Sequence, residues 1–396
     1  MDQHFDIVIV GAGIVGLYTA CALANSGRKV ALIDRNSPKS TITPEFDLRV
    51  FAITRVAKTL LQRIEVWDDI VAHRVCPFRK MQVWDGEGDG KVTFDCRDIG
   101  EPELGHIIEQ QVLRAALLKR LQACSQVTFL HPVELKSVKF SPKQVAMETS
   151  AGNWISADLL IAADGANSWI RQQTENSLSQ SEYGHHALVT MLTLEKTHAY
   201  TAWQRFLPTG PLVFLPLSDP HKVSIVWSSN PDHIKALTAM PVSQFQQACR
   251  EAIVEDFGDI QSQTPRVHFP LVMRHVHHYV KPRLALIGDA AHTLHPLAGQ
   301  GLNLGFLDAS VLVDEIQRGI KEQRDIGSYG LLRRYERRRK GHNWLMATVI
   351  GGFKSTFESQ NPLIRFGRNL GLNVSNRIPI LKNSFAKFAM GIDWLR

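Results

Sequence analysis

The chain opens with a strand, a glycine-rich turn, a helix and a second strand, and this arrangement constrains its fold more than any other feature. The pattern predicts the first strand over Ile7–Val10, the turn over Gly11–Gly16 with the spacing GxGxxG, and the second strand over Val30–Ile33. Both strands are apolar at successive positions, as expected when parallel strands are buried on both faces. The opening therefore predicts a βαβ unit and a Rossmann-like α/β domain.

The glycine-rich turn also predicts a dinucleotide site. Glycine lets the backbone turn sharply and approach a pyrophosphate, whose charge then lies at the positive end of the following helix. Asp34 ends the second strand, about 20 residues further on, where a carboxylate can bind an adenosine ribose hydroxyl. The motif alone does not distinguish FAD from NAD.

Two later strands, predicted over Leu159–Ala163 and Leu284–Ile287, each end at an aspartate beside a glycine. The carboxyl ends of strands are where open α/β sheets bind ligands. For Asp164, a simple Asp-Gly turn is an equally good explanation. Asp289 is followed by a glycine-rich stretch that opens a helix near Gly301, and free N–H groups at a helix start suit a polar ring edge.

The remaining stretches predict a second sheet and a helical end. Period-two segments within residues 183–276 indicate antiparallel strands, which we interpret as an inserted substrate domain. A helix is predicted over Ile107–Cys124. After Gly299 the pattern is helical, and Pro362, Pro379 and several glycines are expected to cut it into short helices.

Composition and charge exclude several classes of function. The net charge is +7, but Arg333–Lys340 and Gly341–Arg396 each carry five more basic than acidic residues, so the chain before Arg333 is net acidic. No nucleic-acid partner is therefore expected. The five cysteines form no CxxC pair, no apolar run reaches the roughly 20 residues that span a bilayer, and the N-terminus begins as a strand. We expect a cytoplasmic protein.

The three motifs, in this order, resemble those of the para-hydroxybenzoate-hydroxylase-like class of flavoprotein monooxygenases. The block His295–Asp308 is similar to the ubiquinone-biosynthesis hydroxylase family within that class, as are the segments 46–50, 205–211 and 389–391. The resemblance implies an α/β fold in which a Rossmann-like FAD-binding domain is interleaved with an antiparallel-sheet substrate domain. The predicted bounds are 1–72, 104–182 and 277–342 for the FAD-binding domain, 73–103 and 183–276 for the substrate domain, and 343–396 for a C-terminal helical region.

The resemblance further implies a reaction. FAD is the bound cofactor, NAD(P)H and O₂ are the co-substrates, and a flavin C4a-hydroperoxide transfers a hydroxyl group to an apolar aromatic ring. The implied substrate is a polyprenylated intermediate of ubiquinone biosynthesis. Two alternatives stay open, namely an FAD-dependent reductase or dehydrogenase on the same scaffold and a non-catalytic FAD-bound subunit of a biosynthetic complex.

The resemblance also assigns residues to the cofactor, on the three motifs and on segments between them. The implied cofactor-binding residues are Gly11, Gly13, Gly16, Asp34, Arg35, Arg49, Gln110, Asp164, Gly165, Asp289, Gly301, Leu302 and Asn303. The first glycines and Asp34 hold the ADP half, Asp289 the ribityl chain, and the backbone of 301–303 the N1–C2 carbonyl edge of the flavin. Pro296 would lie against the reactive face of the flavin, and no catalytic base and no metal site are assigned.

Three side-chain groups have competing interpretations. The histidines 275, 277 and 278 share a short segment, but no acidic residue or cysteine lies at ligand spacing, so a metal site is not favoured. The aromatic residues Trp203, Phe206, Phe214 and Trp227 line either a substrate pocket or, the favoured alternative, an ordinary core. A packing or hydrogen-bonding role is favoured over acid–base chemistry for His292 and His295.

The basic, apolar C-terminal region leads to one hypothesis about partners. The run Arg333–Lys340 is expected to be a solvated helix face, and the tail beyond it carries apolar residues that include Leu363, Phe366 and Leu370. Together they suggest contact with the inner face of a membrane or with a biosynthetic complex.

Overall fold

A computed structural model describes residues 3–174, 178–253, 255–293, 300–358, 361–378, 382–384, 386–387 and 390–391. Its strands are β1 Gln3–Val10, β2 Val30–Ile33, β3 Val50–Thr54, β4 Val75–Phe78, β5 Lys80–Asp85, β6 Lys91–Asp95, β7 Gly105–Glu109, β8 Val127–Leu130, β9 Leu135–Phe140, β10 Val145–Thr149, β11 Trp154–Ala162, β12 Leu178–Leu194, β13 Thr201–Leu207, β14 Gly210–Pro216, β15 Lys222–Ser229, β16 Ile260–Gln263, β17 Val267–Val276, β18 Val280–Lys281, β19 Leu284–Leu286 and β20 His292–Thr293. Its helices are α1 Ile14–Leu23, α2 Arg55–Arg63, α3 Trp67–Val71, α4 Gln110–Gln122, α5 Trp169–Gln173, α6 Pro231–Ala239, α7 Val242–Ala252, α8 Gln300–Lys321, α9 Tyr329–Glu358 and α10 Pro362–Arg377, with short 3₁₀ turns at Cys96–Ile99 and Gly288–Ala290.

The first sheet is the one that the opening motif predicts. Its strands lie in the order β18-β19-β11-β1-β2-β8, and β9 and β10 extend it beside β11. Strand β1 pairs in parallel with both β11 and β2, and β11 pairs in parallel with β19. The strands β1, β2 and β19 are buried on successive residues in a core that they share with α1, α4 and α8. The predicted α/β fold is confirmed, and all four predicted motif strands lie in this sheet.

A second, mainly antiparallel sheet is formed largely by the predicted insertion, and β5, β6 and β20 join it from outside residues 183–276. Its order is β20-β17-β12-β15-β14-β13-β5-β6, with β16 beside β12. One face packs against α6 and α7, where Trp203, Phe214 and Trp227 are buried together with Phe245. These three aromatic residues are therefore core, as favoured. Phe206 lies on the other face and stacks on Phe357 at 3.9 Å between ring centroids.

A third, three-stranded sheet corrects the predicted helix over Ile107–Cys124. Strand β7 pairs with β3 on one side and with β4 on the other, so residues 105–109 are extended and the helix begins only at Gln110. The apolar pair Ile107 and Ile108 continues the helical pattern in the sequence, but both edges of this segment pair with strands that are distant along the chain, and the two side chains enter different apolar clusters.

The C-terminal part also differs from the prediction of short helices. The helix α9 runs unbroken through Gly341, Gly351 and Gly352. Its start belongs to the predicted FAD-binding domain and its end to the predicted C-terminal region, so the predicted boundary at 342/343 falls inside one helix. Pro379 lies outside the described residues. The domain bounds stay predictions.

The helix α10 covers the edge strand β6 with a row of asparagines. The side-chain oxygens of Asn369, Asn373 and Asn376 accept hydrogen bonds from the backbone N–H groups of Gly90, Lys91 and Thr93 at 2.7, 3.3 and 3.2 Å. Nearby, the guanidinium of Arg368 binds both carboxylate oxygens of Asp85 at 2.5 and 2.9 Å, and this pair is buried.

Within the described ranges, none of the helices has the length and apolar character needed to cross a bilayer.

Candidate cofactor site

The first and second motifs meet at the ends of β1 and β11. Gly11 has φ +105°, and a Cβ atom built on it would lie 2.5 Å from the carbonyl oxygen of Ala163 and 2.8 Å from Cα of Asp164. The N–H of Ala163 donates to the carbonyl of Val10 at 2.8 Å, which holds the two strand ends side by side. Glycine is therefore required at position 11 both by its backbone conformation and by the closeness of the second motif.

The other two glycines of the turn have opposite surroundings. A Cβ atom on Gly16 would lie 1.9 Å from the carbonyl oxygen of Gly11, so this glycine allows the helix to pack on the turn. Gly13 is exposed, and a Cβ atom there would meet nothing within 4 Å. Gly13 is also the N-cap of α1, whose first turn has no acidic residue and no side-chain cap. The open space and the free N–H groups fit a pyrophosphate.

The third motif meets the first through Val15 of α1. A Cβ atom on Gly305 of α8 would lie 2.7 Å from Cγ2 of Val15, and one on Gly288, where φ is +57°, would lie 3.4 Å from both methyl groups of the same side chain. Val15 is therefore enclosed between α8 and the turn that carries Asp289. The second and third motifs are joined by Arg171, which donates to the carbonyl of Ala166 at 2.8 Å and to that of Ala290 at 2.9 Å.

Two aspartates at the strand ends retain free acceptor atoms. Asp164 Oδ2 accepts the N–H of Ile170 at 3.1 Å, whereas Oδ1 is buried and has no hydrogen-bond partner among the described residues. Asp289 is half-buried, and no described residue donates to its carboxylate. Burial raises the pKa of both carboxyl groups, and the charges of His292 and Arg49 oppose this rise at Asp289. Hydroxyl donors such as those of a ribityl chain fit both positions.

Asp34 mainly organises the turn in the described contacts. Its Oδ2 accepts the N–H of Ala12 at 2.7 Å and its Oδ1 accepts the N–H of Asn36 at 2.8 Å. A carboxylate accepts about four hydrogen bonds, so capacity for a ribose hydroxyl is left. Arg35 is exposed beside it.

Arg49 and Gln110 are adjacent in space. The N–H of Gln110 donates to the carbonyl of Arg49 at 2.9 Å, and the Arg49 guanidinium lies 5.4 Å from the ring centroid of Phe51. The loop before Arg49 is fastened by the buried Glu109, which binds the N–H of Asp47 at 2.7 Å and Arg74 at 2.8 Å.

The start of α8 is fastened to β3 by Asn303. Its Oδ1 accepts the N–H of Thr54 at 2.9 Å, and its Nδ2 donates to the carbonyl of Ala52 at 2.8 Å. The side chain thus has a structural task in joining α8 to β3. A Cβ atom on Gly301 would meet nothing within 4 Å, and Leu302 is partly buried. Pro296 and His295 lie outside the described residues.

The structure also reveals a buried group that the sequence patterns did not assign to the site. Asp308 is fully buried and accepts hydrogen bonds from His292 and Arg339, which confirms the hydrogen-bonding role favoured for His292. Arg339 corrects the interpretation of its basic run, because it is buried whereas Arg333, Arg337 and Arg338 are exposed.

A metal site is not supported in the part of the chain that the structure describes, because no group of three His, Cys, Asp or Glu side chains is placed to hold an ion there. His275 is paired in register with His292, and His277 bonds to the Ser179 hydroxyl at 2.9 Å.

Comparisons with known proteins agree with a flavin site. The family model described as "FAD binding domain" matches residues 4–349. The chain is 36% identical over 392 residues to the 3-demethoxyubiquinol 3-hydroxylase of Escherichia coli, covering 99% of this chain and 100% of that protein. It is 35% identical to the mitochondrial ubiquinone biosynthesis monooxygenase of Danio rerio, with 98% and 90% of the two chains covered.

The fold is also shared with solved structures of lower sequence identity. The p-nitrophenol 4-monooxygenase of Pseudomonas putida superimposes with a TM-score of 0.80 at 20% identity, covering 98% of both chains. PqsL of Pseudomonas aeruginosa gives a TM-score of 0.80 at 18% identity, covering 94% of this chain and 100% of that one.

Proposed function

Since this chain belongs to the FAD binding domain family and to its ubiquinone-biosynthesis hydroxylases, we propose that it hydroxylates an apolar, polyprenylated aromatic ring in ubiquinone biosynthesis. It is an FAD-dependent monooxygenase that uses NAD(P)H and O₂ as co-substrates. The observation that carries the proposal is the contact of the three motifs through Gly11, Val15 and Arg171.

We propose the following division of tasks along the cofactor. The free N–H groups at the start of α1, beside Gly11, Gly13 and Gly16, hold the pyrophosphate, while Asp34 and Arg35 hold the ribose and adenine. The middle of the cofactor lies along a group of polar residues and one glycine, which are Arg49, Gln110, Asp164, Gly165 and Asp289. The backbone of Gly301, Leu302 and Asn303 faces the polar edge of the ring system.

Bound FAD, once reduced by the nicotinamide, supplies the activation of O₂ that delivers a hydroxyl group to the substrate ring. The chain's own contribution is electrostatic and steric. The N-terminal end of α8 stabilises negative charge beside residues 301–303, which is worth about 0.5 to 2 kcal/mol for a helix terminus. Apolar side chains of the second sheet, among them Met191 and Leu215, exclude water from the reacting groups.

We propose that the substrate ring lies on the inner face of the second sheet. On this face Val189, Val226 and Val213 are paired side by side on β12, β15 and β14, and each is partly exposed. The same face carries Met191 and Leu215, which pack against Val50 and Ala52 of β3, directly beside the start of α8. The opposite face is covered by α6 and α7, so only the inner face can take an apolar ring near the cofactor.

Labelled oxygen tests the reaction. The purified protein with FAD, NAD(P)H, ¹⁸O₂ and a prenylated phenol should give a ring product that contains one ¹⁸O atom, measured by mass spectrometry. A reduced product without ¹⁸O would identify a reductase or dehydrogenase instead. Flavin that no nicotinamide reduces, with or without the phenol, would favour the non-catalytic subunit of a complex.

We also propose that the C-terminal helices bring the enzyme to an anionic membrane surface, where its apolar substrate is dissolved. On α10, Phe366, Leu370 and Val374 are exposed and spaced four residues apart, on a face that adjoins the asparagines that bind β6. On α9, Trp344 and Leu345 are exposed and follow the exposed arginines of the basic run. Apolar side chains with adjoining positive charge fit anionic lipid.

A further inference from the structure

A carboxylate that the cofactor motifs leave unassigned lies at the centre of a buried network beneath them. Asp308 belongs to α8, and its side chain is fully buried. Its Oδ2 accepts the N–H of Gly288 at 3.2 Å and Nε2 of His292 at 2.5 Å. Its Oδ1 accepts Nε of Arg339 at 2.8 Å and Nδ2 of Asn343 at 3.0 Å. Four donors from the turn, β20 and α9 therefore converge on one carboxylate.

The charge of this carboxylate is stabilised despite its burial. Burial acts to raise the pKa of Asp308, but the charges and hydrogen bonds of His292 and Arg339 outweigh burial and hold the pKa below its usual range. Arg339 is itself buried and also hydrogen-bonds to Asn343 at 2.7 Å and to His342 at 3.4 Å. Loss of the Asp308 charge would leave a buried guanidinium without a counter-ion, which is strongly unfavourable.

The two donors to Oδ2 stand on either side of Asp289 in the sequence. Gly288 precedes Asp289 and has a left-handed backbone conformation, and His292 follows it by three residues. The 3₁₀ turn between them spans only three residues, which is too short to hold its own conformation. No described residue donates to the Asp289 carboxylate itself. The direction in which Asp289 faces the cofactor is therefore set by the groups that hold the turn.

We propose that Asp308 is a positioning residue of the cofactor site, which fixes the turn of Asp289 through Gly288 and His292. The helix α9 contributes Arg339 and Asn343 to this task, so a helix outside the three motifs takes part in FAD binding. The proposal rests on the FAD site of the proposed function, but it concerns affinity for FAD and not the reaction.

The test compares two buried carboxylates. Asp308→Asn keeps the shape of the side chain but replaces one acceptor oxygen by a donor, so either Gly288 and His292 or Arg339 and Asn343 lose their shared acceptor, together with the charge. The dissociation constant for FAD, measured by titrating the apoprotein and following flavin fluorescence, should rise about tenfold or more. The visible circular dichroism of the bound flavin should change as well.

Asp85→Asn is the matched control, because Asp85 is equally buried and pairs with Arg368 on α10, away from the three motifs. Both variants should lower the melting temperature. Only Asp308→Asn should weaken FAD binding and alter the flavin spectrum. Equal weakening of FAD binding in both variants would overturn the proposal, because it would reduce the role of Asp308 to general stability.

If Asp308→Asn does not fold, a second variant, at His292, tests the same proposal. In His292→Phe the ring shape is kept but the donor to Oδ2 is lost, while the carboxylate keeps Arg339 and Asn343, so the core retains its ion pair. The dissociation constant for FAD should still rise, by about threefold to tenfold. An unchanged constant in His292→Phe would overturn the proposal. If the wild-type protein bound FAD tightly but hydroxylated no ring, the proposed function alone would be wrong. The comparison of FAD affinity between the variants would still test the role of Asp308.

Discussion

Two glycines with a left-handed backbone conformation, Gly11 and Gly27, show what a single residue contributes to the site. Gly11 has φ +105° and Gly27 has φ +72°, but a Cβ atom on Gly27 would meet nothing within 4 Å. Gly27→Ala should therefore cost only the backbone strain, about 1 to 2 kcal/mol. Gly11→Ala adds a clash with Ala163 and Asp164, so the first two motifs must separate.

We expect Gly11→Ala to lower the free energy of unfolding by clearly more than Gly27→Ala and to abolish FAD binding, which Gly27→Ala should leave unchanged. Urea unfolding followed by circular dichroism and FAD titration measure the two effects. If both variants bound FAD like the wild type, the contact between the first two motifs would be irrelevant to the cofactor.

A buried histidine gives a residue-scale prediction about pH. Burial, with Lys58 and Arg55 acting in the same direction and Glu103 opposing, lowers the pKa of His106 from 6.5 to about 4. Between pH 6.5 and 4, His106 is protonated in the unfolded chain but neutral in the folded chain. The free energy of unfolding therefore falls as pH is lowered from 6.5 towards 4. The free energy of unfolding should lose up to about 1.4 kcal/mol per pH unit from this group alone.

His106→Gln removes the titrating group and should make the loss of stability between pH 6.5 and 4.5 less steep. His73 is a suitable control because its side chain is exposed, so His73→Gln should leave the slope unchanged. Denaturant midpoints at each pH provide the measurement. A slope that is the same in His106→Gln and in the wild type would contradict the assignment.

At the scale of elements, the strands of the first sheet could be predicted because their signals are local. A continuous apolar run that ends at glycine or aspartate is enough to predict β1, β2 and β19. The strand β7 could not be separated from α4, because what makes Ile107 and Ile108 extended is pairing with β3 and β4, far away in the sequence. The burial of Arg339 could not be predicted for a related reason. In the sequence it is one of several arginines in a basic run, and only the packing of α9 against α8 distinguishes it from its exposed neighbours.

The row of asparagines on α10 leads to an element-scale prediction. The Asn369 side chain satisfies the N–H of Gly90 at 2.7 Å, next to the edge strand β6. Asn369→Leu removes this acceptor and should cost about 1 to 2 kcal/mol, whereas Asn369→Asp keeps an acceptor and should cost less. Hydrogen exchange of the β6 peptide, followed by mass spectrometry, should be faster in the leucine variant only. Equal exchange in both variants would show that α10 does not protect this edge.

At the scale of the whole molecule, the cofactor site forms where three distant parts of the chain are packed together. The residue types and their order predicted this convergence, since glycine and strand-end aspartate are visible in the sequence. The contacts that enforce it, made by Val15 and Arg171, could not be predicted, because a valine in a helix and an arginine after a turn have no distinctive pattern. The local chemistry is thus predictable, and the side chains that assemble it require the fold.

At the same scale, the exposed apolar side chains of α10 give a route to an apolar substrate, since none of the described helices could cross a membrane. Phe366 is 70% exposed and Leu370 is 52% exposed, and solvent exposure of neighbouring large apolar side chains is unfavourable unless another surface covers them. The double variant Phe366→Ser, Leu370→Ser should therefore bind anionic phospholipid vesicles at least about tenfold more weakly in flotation assays, and added salt should weaken wild-type binding.

Val242→Ser is the control, because Val242 is 52% exposed on α7 but lies apart from the C-terminal helices. It should bind vesicles like the wild type. With a short-chain, water-soluble phenol the double variant should keep the kcat/KM of the wild type, because Phe366 and Leu370 are not among the proposed cofactor or substrate residues. With a long-chain phenol dissolved in vesicles, the kcat/KM of the double variant should fall. If the wild-type protein did not float with anionic vesicles, the membrane proposal would be wrong. The exposed apolar row on α10 would then be assigned to contact with a protein partner.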